Sequence, residues 1–181
     1  MGVQFLIDSA SDILPEEANK MGITCIPMEI TFGDGIYRDG VTLSHHEFYE
    51  KLATCSTLPA TSQINPAIYT DYFQKLTASG DQLVVITLSS QLSGTYQSAL
   101  IAAEDFEGKV FVVDSMNAAV GERLVLLRGL QLKAEGLSAE QIAQTLDKET
   151  GNIRLFAMID TLEYLKKGGR CSTLAALGAN V

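Results

Sequence analysis

The sequence predicts an α/β fold: a parallel sheet with helices on both faces, followed by the start of a second α/β domain. Three observations carry this. Short apolar runs such as LVVI at 83–86 and VFVV at 110–113 lack the polar alternation of a half-exposed strand. Helical stretches separate these runs, as parallel crossovers require. The runs end in polar loops, among them Asp8–Ser9, Ser89–Ser90 and Asp114–Ser115, and open parallel sheets bind ligands beyond the carboxyl ends of their strands.

The elements follow in order. Residues 3–7 form a strand that runs into the polar turn DSASD at 8–12. Pro15 suits the first turn of a helix over 15–21, and Gly22 stops it. Residues 23–30 read as a second strand, placed at an edge because Pro27 cannot donate to a ladder. Residues 31–40 read as a hairpin-like insert with Asp34–Gly35 as its turn. Thr42 or Ser44 caps a helix through Phe48 and Leu52. His45 and His46 sit in its first turn. Adjacent helical side chains point about 100° apart, and no acidic or Cys partner has ligand spacing, so no metal is expected.

Residues 58–66 read as a polar loop with two prolines, before a helix over 67–76. After the strand at 83–86 come a helix over 96–103, the strand at 110–113 and a long helix over 117–135 stopped by Gly136. Ser138 and Gln141 form a capping box for the next helix. A strand over 153–159 ends in Asp160, a short helix covers 161–167, and Gly168–Gly169–Arg170 turns out of it. A composition break at 150–152 divides the chain into domains at 1–150 and 151–181. The tail STLAALGANV at 172–181 starts like a capped apolar helix without a polar last turn, as if a larger protein continued beyond it.

Composition excludes several classes. The 181 residues are 46% hydrophobic, enough for a core and too apolar for a disordered chain. The net charge of −9 comes without a basic stripe, which argues against a nucleic-acid partner. No apolar run approaches the roughly 20 residues of a membrane span, and the opening MGVQFLIDSASD does not read as a secretory signal. Cys25, Cys55 and Cys171 are far apart and form no CxxC, which fits thiols of a reducing compartment. A cytoplasmic protein is expected.

The chemistry concentrates in TLSSQLSGTYQSA at 87–99. Ser89, Ser90, Ser93, Gly94 and Thr95 lie between a strand and a helix. The first N–H groups of a helix lack partners and attract anions. N-capping by Ser90 or Ser93 is the alternative, although four hydroxyls exceed what one cap needs. The loops at 8–11, 61–63 and 89–95 can converge, offering hydroxyls and N–H groups without lysine, a set suited to a carboxylate. The G-x-G-x-x-G, GK[ST] and G-x-S-x-G signatures are missing, and neither His stands where a serine nucleophile needs a base. The strand-ending Asp8, Asp114 and Asp160 leave open a Mg²⁺-dependent phosphatase or phosphotransferase using Asp8. Their ordinary use is to cap helices or bond loop amides.

Five segments appear in order: DSASD at 8–12, TSQ at 61–63, SSQLSGTYQSA at 89–99, VDS at 113–115 and LEYLKKGGR at 162–170. Together they closely resemble the bacterial DegV family of fatty-acid-binding proteins, and the resemblance runs from Gly2 to Arg170. Ile64 stands where that family usually carries proline. The resemblance implies two α/β domains with a long-chain fatty acid in a tunnel between them, and no other cofactor. It implies that Thr61 and Ser93 hold the carboxylate, with Ser62 and the backbone N–H groups of Gly94 and Thr95 beside them. It also implies a carrier without catalysis of its own, which presents the fatty acid to a fatty-acid kinase that makes acyl phosphate for phospholipid synthesis. Arg170 has two readings: a turn residue bonding carbonyls of the preceding helix, or a fork for a kinase-bound phosphate.

Overall fold

Strands and helices follow one another along the chain in this order: β1 (Val3–Asp8), α1 (Pro15–Met21), β2 (Thr24–Ile26), β3 (Glu29–Phe32), β4 (Gly35–Arg38), α2 (His45–Thr54), β5 (Ala60–Ser62), α3 (Pro66–Thr77), β6 (Gln82–Thr87), α4 (Thr95–Ala103), β7 (Val110–Asp114), α5 (Val120–Ala134), α6 (Ala139–Glu149) and α7 (Glu163–Lys167). The computed structural model describes residues 2–33 and 35–171. The helix expected at 172–181, and Asp34 of the expected turn, lie outside the described residues.

The predicted parallel sheet is present, in the order β2-β1-β6-β7, with every pairing parallel. Leu6 lies opposite both Thr24 and Val85, and Ile86 lies opposite Val113. Side chains alternate across the sheet. Phe5, Ile7, Val84 and Ile86 pack with Ala18 of α1, Val125 and Leu126 of α5, and Ile142 and Leu146 of α6. Leu6, Leu83 and Val85 pack with Tyr69 and Phe73 of α3 and Ala99 and Ala102 of α4. Helices therefore cover both faces, and burying the apolar strands on both sides drives the architecture.

The helix ends follow their sequence signals. Ser44 with Glu47, and Ser138 with Gln141, form complete capping boxes on α2 and α6. Asn65 caps α3, with Pro66 in its first turn. Gly22 stops α1 in a left-handed conformation that a side chain would strain. Helix α5 begins at Val120 rather than 117, because Met116 and Ala119 hold positive φ in the turn before it.

Three expectations need correction. The strand predicted over 23–30 is two strands in different sheets. Pro27 cannot extend the ladder of β2, and the chain leaves the parallel sheet there. Its continuation, β3, joins an antiparallel sheet of order β4-β3-β5, in which Phe32 lies opposite Gly35. The loop expected at 58–66 contains β5, which pairs with β3 so that Thr61 lies opposite Ile30 and Ser62 opposite Glu29. A three-residue polar strand carries no readable alternation, and its partner supplies the order. Residues 153–159 form no strand: Phe156 is 90% exposed and Met158 100% exposed. This apolar run finds no neighbouring strand among the described residues, so Asp160 does not end one.

Candidate functional site

The carboxyl edge of the parallel sheet is organised by two carboxylates that serve the backbone. Asp8 Oδ2 accepts the Leu88 N–H at 2.9 Å, and Oδ1 accepts the Ala10 N–H at 3.0 Å. Burial pushes its pKa up to about 6, against the opposing pull of these two bonds. Asp114 accepts the N–H groups of Ser90 at 3.2 Å and Met116 at 2.9 Å. Both Asp8 oxygens are thus committed to amides, and no group of three His, Cys, Asp or Glu residues suited to a metal occurs among the described residues.

The loop between β6 and α4 turns on Ser89, which is buried. Its N–H donates to the Asn117 carbonyl at 2.8 Å, and its own carbonyl accepts the N–H groups of Leu92 at 2.9 Å and Ser93 at 3.2 Å. Helix α4 then starts at Thr95, with Gly94 at the cap position and no side-chain cap bond. Neither Ser90 nor Ser93 caps the helix in the usual way. Ser93 Oγ instead accepts the Thr95 N–H at 3.2 Å and lies 2.9 Å from Thr95 Oγ1, so the Thr95 N–H expected beside the carboxylate is already taken by Ser93. Ser93 and Gly94 are half-buried, and Thr95 is fully buried beneath them.

The end of β5 lies against this helix terminus. Gln63 Nε2 donates to Ser98 Oγ at 3.1 Å, and the Ile64 N–H donates to Thr95 Oγ1 at 3.4 Å. A Cβ at Gly94 would overlap Gln63 Oε1 and lie 2.9 Å from its Cδ. Glycine at this position lets the two loops meet. Thr61 and Ser62, the two β5 residues directly before Gln63, are exposed. The structure thus joins the TSQ and LSGT loops, two segments that sequence spacing alone could not bring together.

Thr61 also lines a cavity of about 620 Å³ with Leu52, Leu58, Tyr164, Leu165 and Arg170, within the usual size range of small-molecule pockets. Arg170 spans from α7 to the loop before α4. Its Nη1 donates to the Gly168 carbonyl at 2.6 Å and its Nε to the Leu92 carbonyl at 3.3 Å. The guanidinium therefore bonds a carbonyl next to its own short helix and also the residue before Ser93.

Two features gave no usable signal in the sequence. The contact of Gln63 with Gly94 sets the loop geometry, and a glycine at a helix start facing a long polar side chain is visible only in three dimensions. Glu122 in the first turn of α5 is fully buried, and neither carboxyl oxygen has a hydrogen-bond partner among the described residues. Burial, then the nearby charges of Asp8, Asp12 and Asp114, pushes its pKa well above the ordinary carboxylate range.

Comparison with known proteins adds identity to this geometry. The DegV family model matches residues 3–181. A DegV domain-containing protein of Deinococcus radiodurans is 35% identical over 177 residues, which cover 98% of this chain and 63% of that protein. A DegV family protein from Thermus thermophilus, described by its fatty acid binding, superposes with a TM-score of 0.83 at 31% identity, over 94% of this chain and 61% of the other. A stearic-acid-binding protein from Eubacterium ventriosum superposes with a TM-score of 0.82 at 29% identity, over 100% of this chain and 64% of the other. The chain spans about three fifths of the length of these relatives.

Proposed function

The chain belongs to the DegV family, and from that premise we propose that it binds a long-chain fatty acid by its carboxylate. The observation that carries this reading is the junction of two hydroxyl loops, Thr61–Ser62 on β5 and Ser93–Gly94 at the start of α4, held together by Gln63 and Ile64. The Thr61 and Ser93 hydroxyls and the Gly94 N–H donate to the anion, with Ser62 at the rim and Thr95 supporting Ser93 from below. Donors at a helix start suit a carboxylate. The mainly apolar cavity beside Thr61 suits the start of an acyl chain. Burying ~14 methylenes at about 0.8 kcal/mol each supplies roughly 11 kcal/mol before ordering costs.

In this reading residues 1–150 are one domain, and residues 151–181 open a second α/β domain that completes the tunnel. The support is that Leu155, Phe156, Met158 and Ile159 expose their apolar side chains while the relatives run longer. The protein is a cytoplasmic carrier without chemistry of its own. It presents the fatty acid to a fatty-acid kinase, whose acyl phosphate feeds phospholipid synthesis. Arg170, fixed beside Ser93 through Leu92, meets the phosphate held by that partner.

Delipidated protein should take up palmitate at one molecule per chain, read by native mass spectrometry. A form continued to the length of the relatives should bind it more tightly. Absence of uptake in both forms contradicts the proposal.

A further inference from the structure

Thr95 opens α4 and is fully buried. Two groups meet at its hydroxyl: the Ile64 N–H at 3.4 Å and Ser93 Oγ at 2.9 Å. A hydroxyl carries one proton and two acceptor sites. A backbone N–H only donates, so Thr95 Oγ1 is the acceptor towards Ile64. The Thr95 proton then falls on Ser93 Oγ, the other oxygen in contact with it. A buried hydroxyl proton left without an acceptor is costly, which fixes this direction. Ser93 Oγ also accepts the Thr95 N–H at 3.2 Å. Both acceptor sites of Ser93 are therefore filled from Thr95, and only its proton is uncommitted.

We propose that Thr95 is a positioning residue that makes Ser93 a one-way donor, and so selects an ionised carboxylate over a head group that must itself donate. The inference rests on the carboxylate reading of Ser93. A carboxylate offers acceptors only, whereas a primary amide offers one acceptor and an NH₂. Two donors, Thr61 and Ser93, satisfy the carboxylate together. An amide NH₂ finds no acceptor at Ser93, so an amide is held only with its carbonyl on Ser93 and its NH₂ on Thr61, whose hydroxyl can turn to accept, and it forgoes a charge-assisted bond. The order runs from the backbone of Ile64 through a buried threonine to the half-buried Ser93 hydroxyl.

The test has two arms. In the first, low-temperature proton NMR of the ligand-free protein should show a slowly exchanging hydroxyl proton on Thr95, with a cross-peak to the Ser93 β-protons. A protected hydroxyl proton on Ser93, directed at Thr95, overturns the proposal whether or not any lipid binds. In the second, palmitate and palmitamide are titrated into wild type, Thr95→Val and Thr95→Ser. Thr95→Val leaves Ser93 its proton for palmitate but frees an acceptor site on Ser93 Oγ for an amide NH₂, so palmitamide should bind about tenfold more tightly relative to palmitate, the change expected for one hydrogen bond. The preference for palmitate narrows by that factor, and Thr95→Ser should restore it. An unchanged preference in Thr95→Val, or a Thr95→Ser variant as unselective as Thr95→Val, overturns the proposal. Wild type that takes up neither ligand refutes the carboxylate reading itself, and the NMR arm still decides the direction of the Thr95–Ser93 bond.

Discussion

An alanine at Gly94 should separate the affinity of the site from the stability of the fold. The backbone there, at φ −75° and ψ 4°, accepts an L side chain. The obstacle is Gln63, whose Oε1 the new Cβ would overlap, with Cδ at 2.9 Å and Nε2 at 3.3 Å. Gln63 is exposed and flexible, so it swings aside and gives up its bond to Ser98. That loss costs about 0.5–1.5 kcal/mol. Alanine is also a poorer N-cap than glycine, but it orders the unfolded chain by about 0.4–1 kcal/mol, which offsets part of the cost. The net loss is about 1 kcal/mol, or roughly 2–4 °C in Tm for a chain of this size. The site suffers more. Moving Gln63 shifts Thr61 relative to Ser93, and losing one hydrogen bond to a charged head group costs about 1.5–3 kcal/mol, a tenfold to hundredfold change in Kd. Thermal unfolding and palmitate titration on the same preparation measure both quantities. An unchanged Kd, or a collapse of Tm far beyond this range, would refute the reasoning.

Other outcomes follow from the same geometry. Glu122→Gln should match wild type at acid pH and be more stable at neutral pH. Native Glu122 keeps its proton above the range where the unfolded chain releases it, so wild-type stability falls as pH rises, and urea titrations at both pH values read the difference. Asp8 adds to that fall between pH ~4 and ~6, by about 3 kcal/mol for a shift of about two pKa units. A wild-type protein equally stable across that window would contradict both assignments. Arg170→Ala should keep palmitate affinity and move stability by no more than about 0.5 kcal/mol, because its bonds lie at the surface. It should slow acyl phosphorylation in a kinase-coupled assay; loss of lipid binding with unfolding would make Arg170 a structural residue.

The parallel sheet was legible because its strands are unbroken apolar runs, and the helix ends because Ser44, Ser138, Gly22 and Gly136 carry local signals. Pro27 suits an edge strand by its chemistry, but it marks a change of sheet, which depends on where the next strand finds a partner. β5 was hidden for the same reason: Ala60–Ser62 is ordered by β3, some thirty residues earlier. Residues 153–159 show the converse, an apolar run with no strand beside it among the described residues. Hydroxyls at 61–62 and 89–95 were readable as residue types. Their junction was not, because it depends on the missing Cβ of Gly94 and on the N–H of Ile64, which a proline at that position would lack.

The central claim is that Thr61 and Ser93 hold a fatty carboxylate, and carboxyl-¹³C palmitate tests it most directly. On titration into the protein, the account predicts a distinct bound carboxyl resonance with cross-peaks to the Thr61 and Ser93 side chains. That carboxyl should stay ionised to lower pH than free palmitate, because donors stabilise the charged form, and Ser93→Ala should weaken or abolish the signal. A carboxyl that titrates as in free solution while the acyl chain binds, or that shows contacts only elsewhere on the protein, would contradict the account.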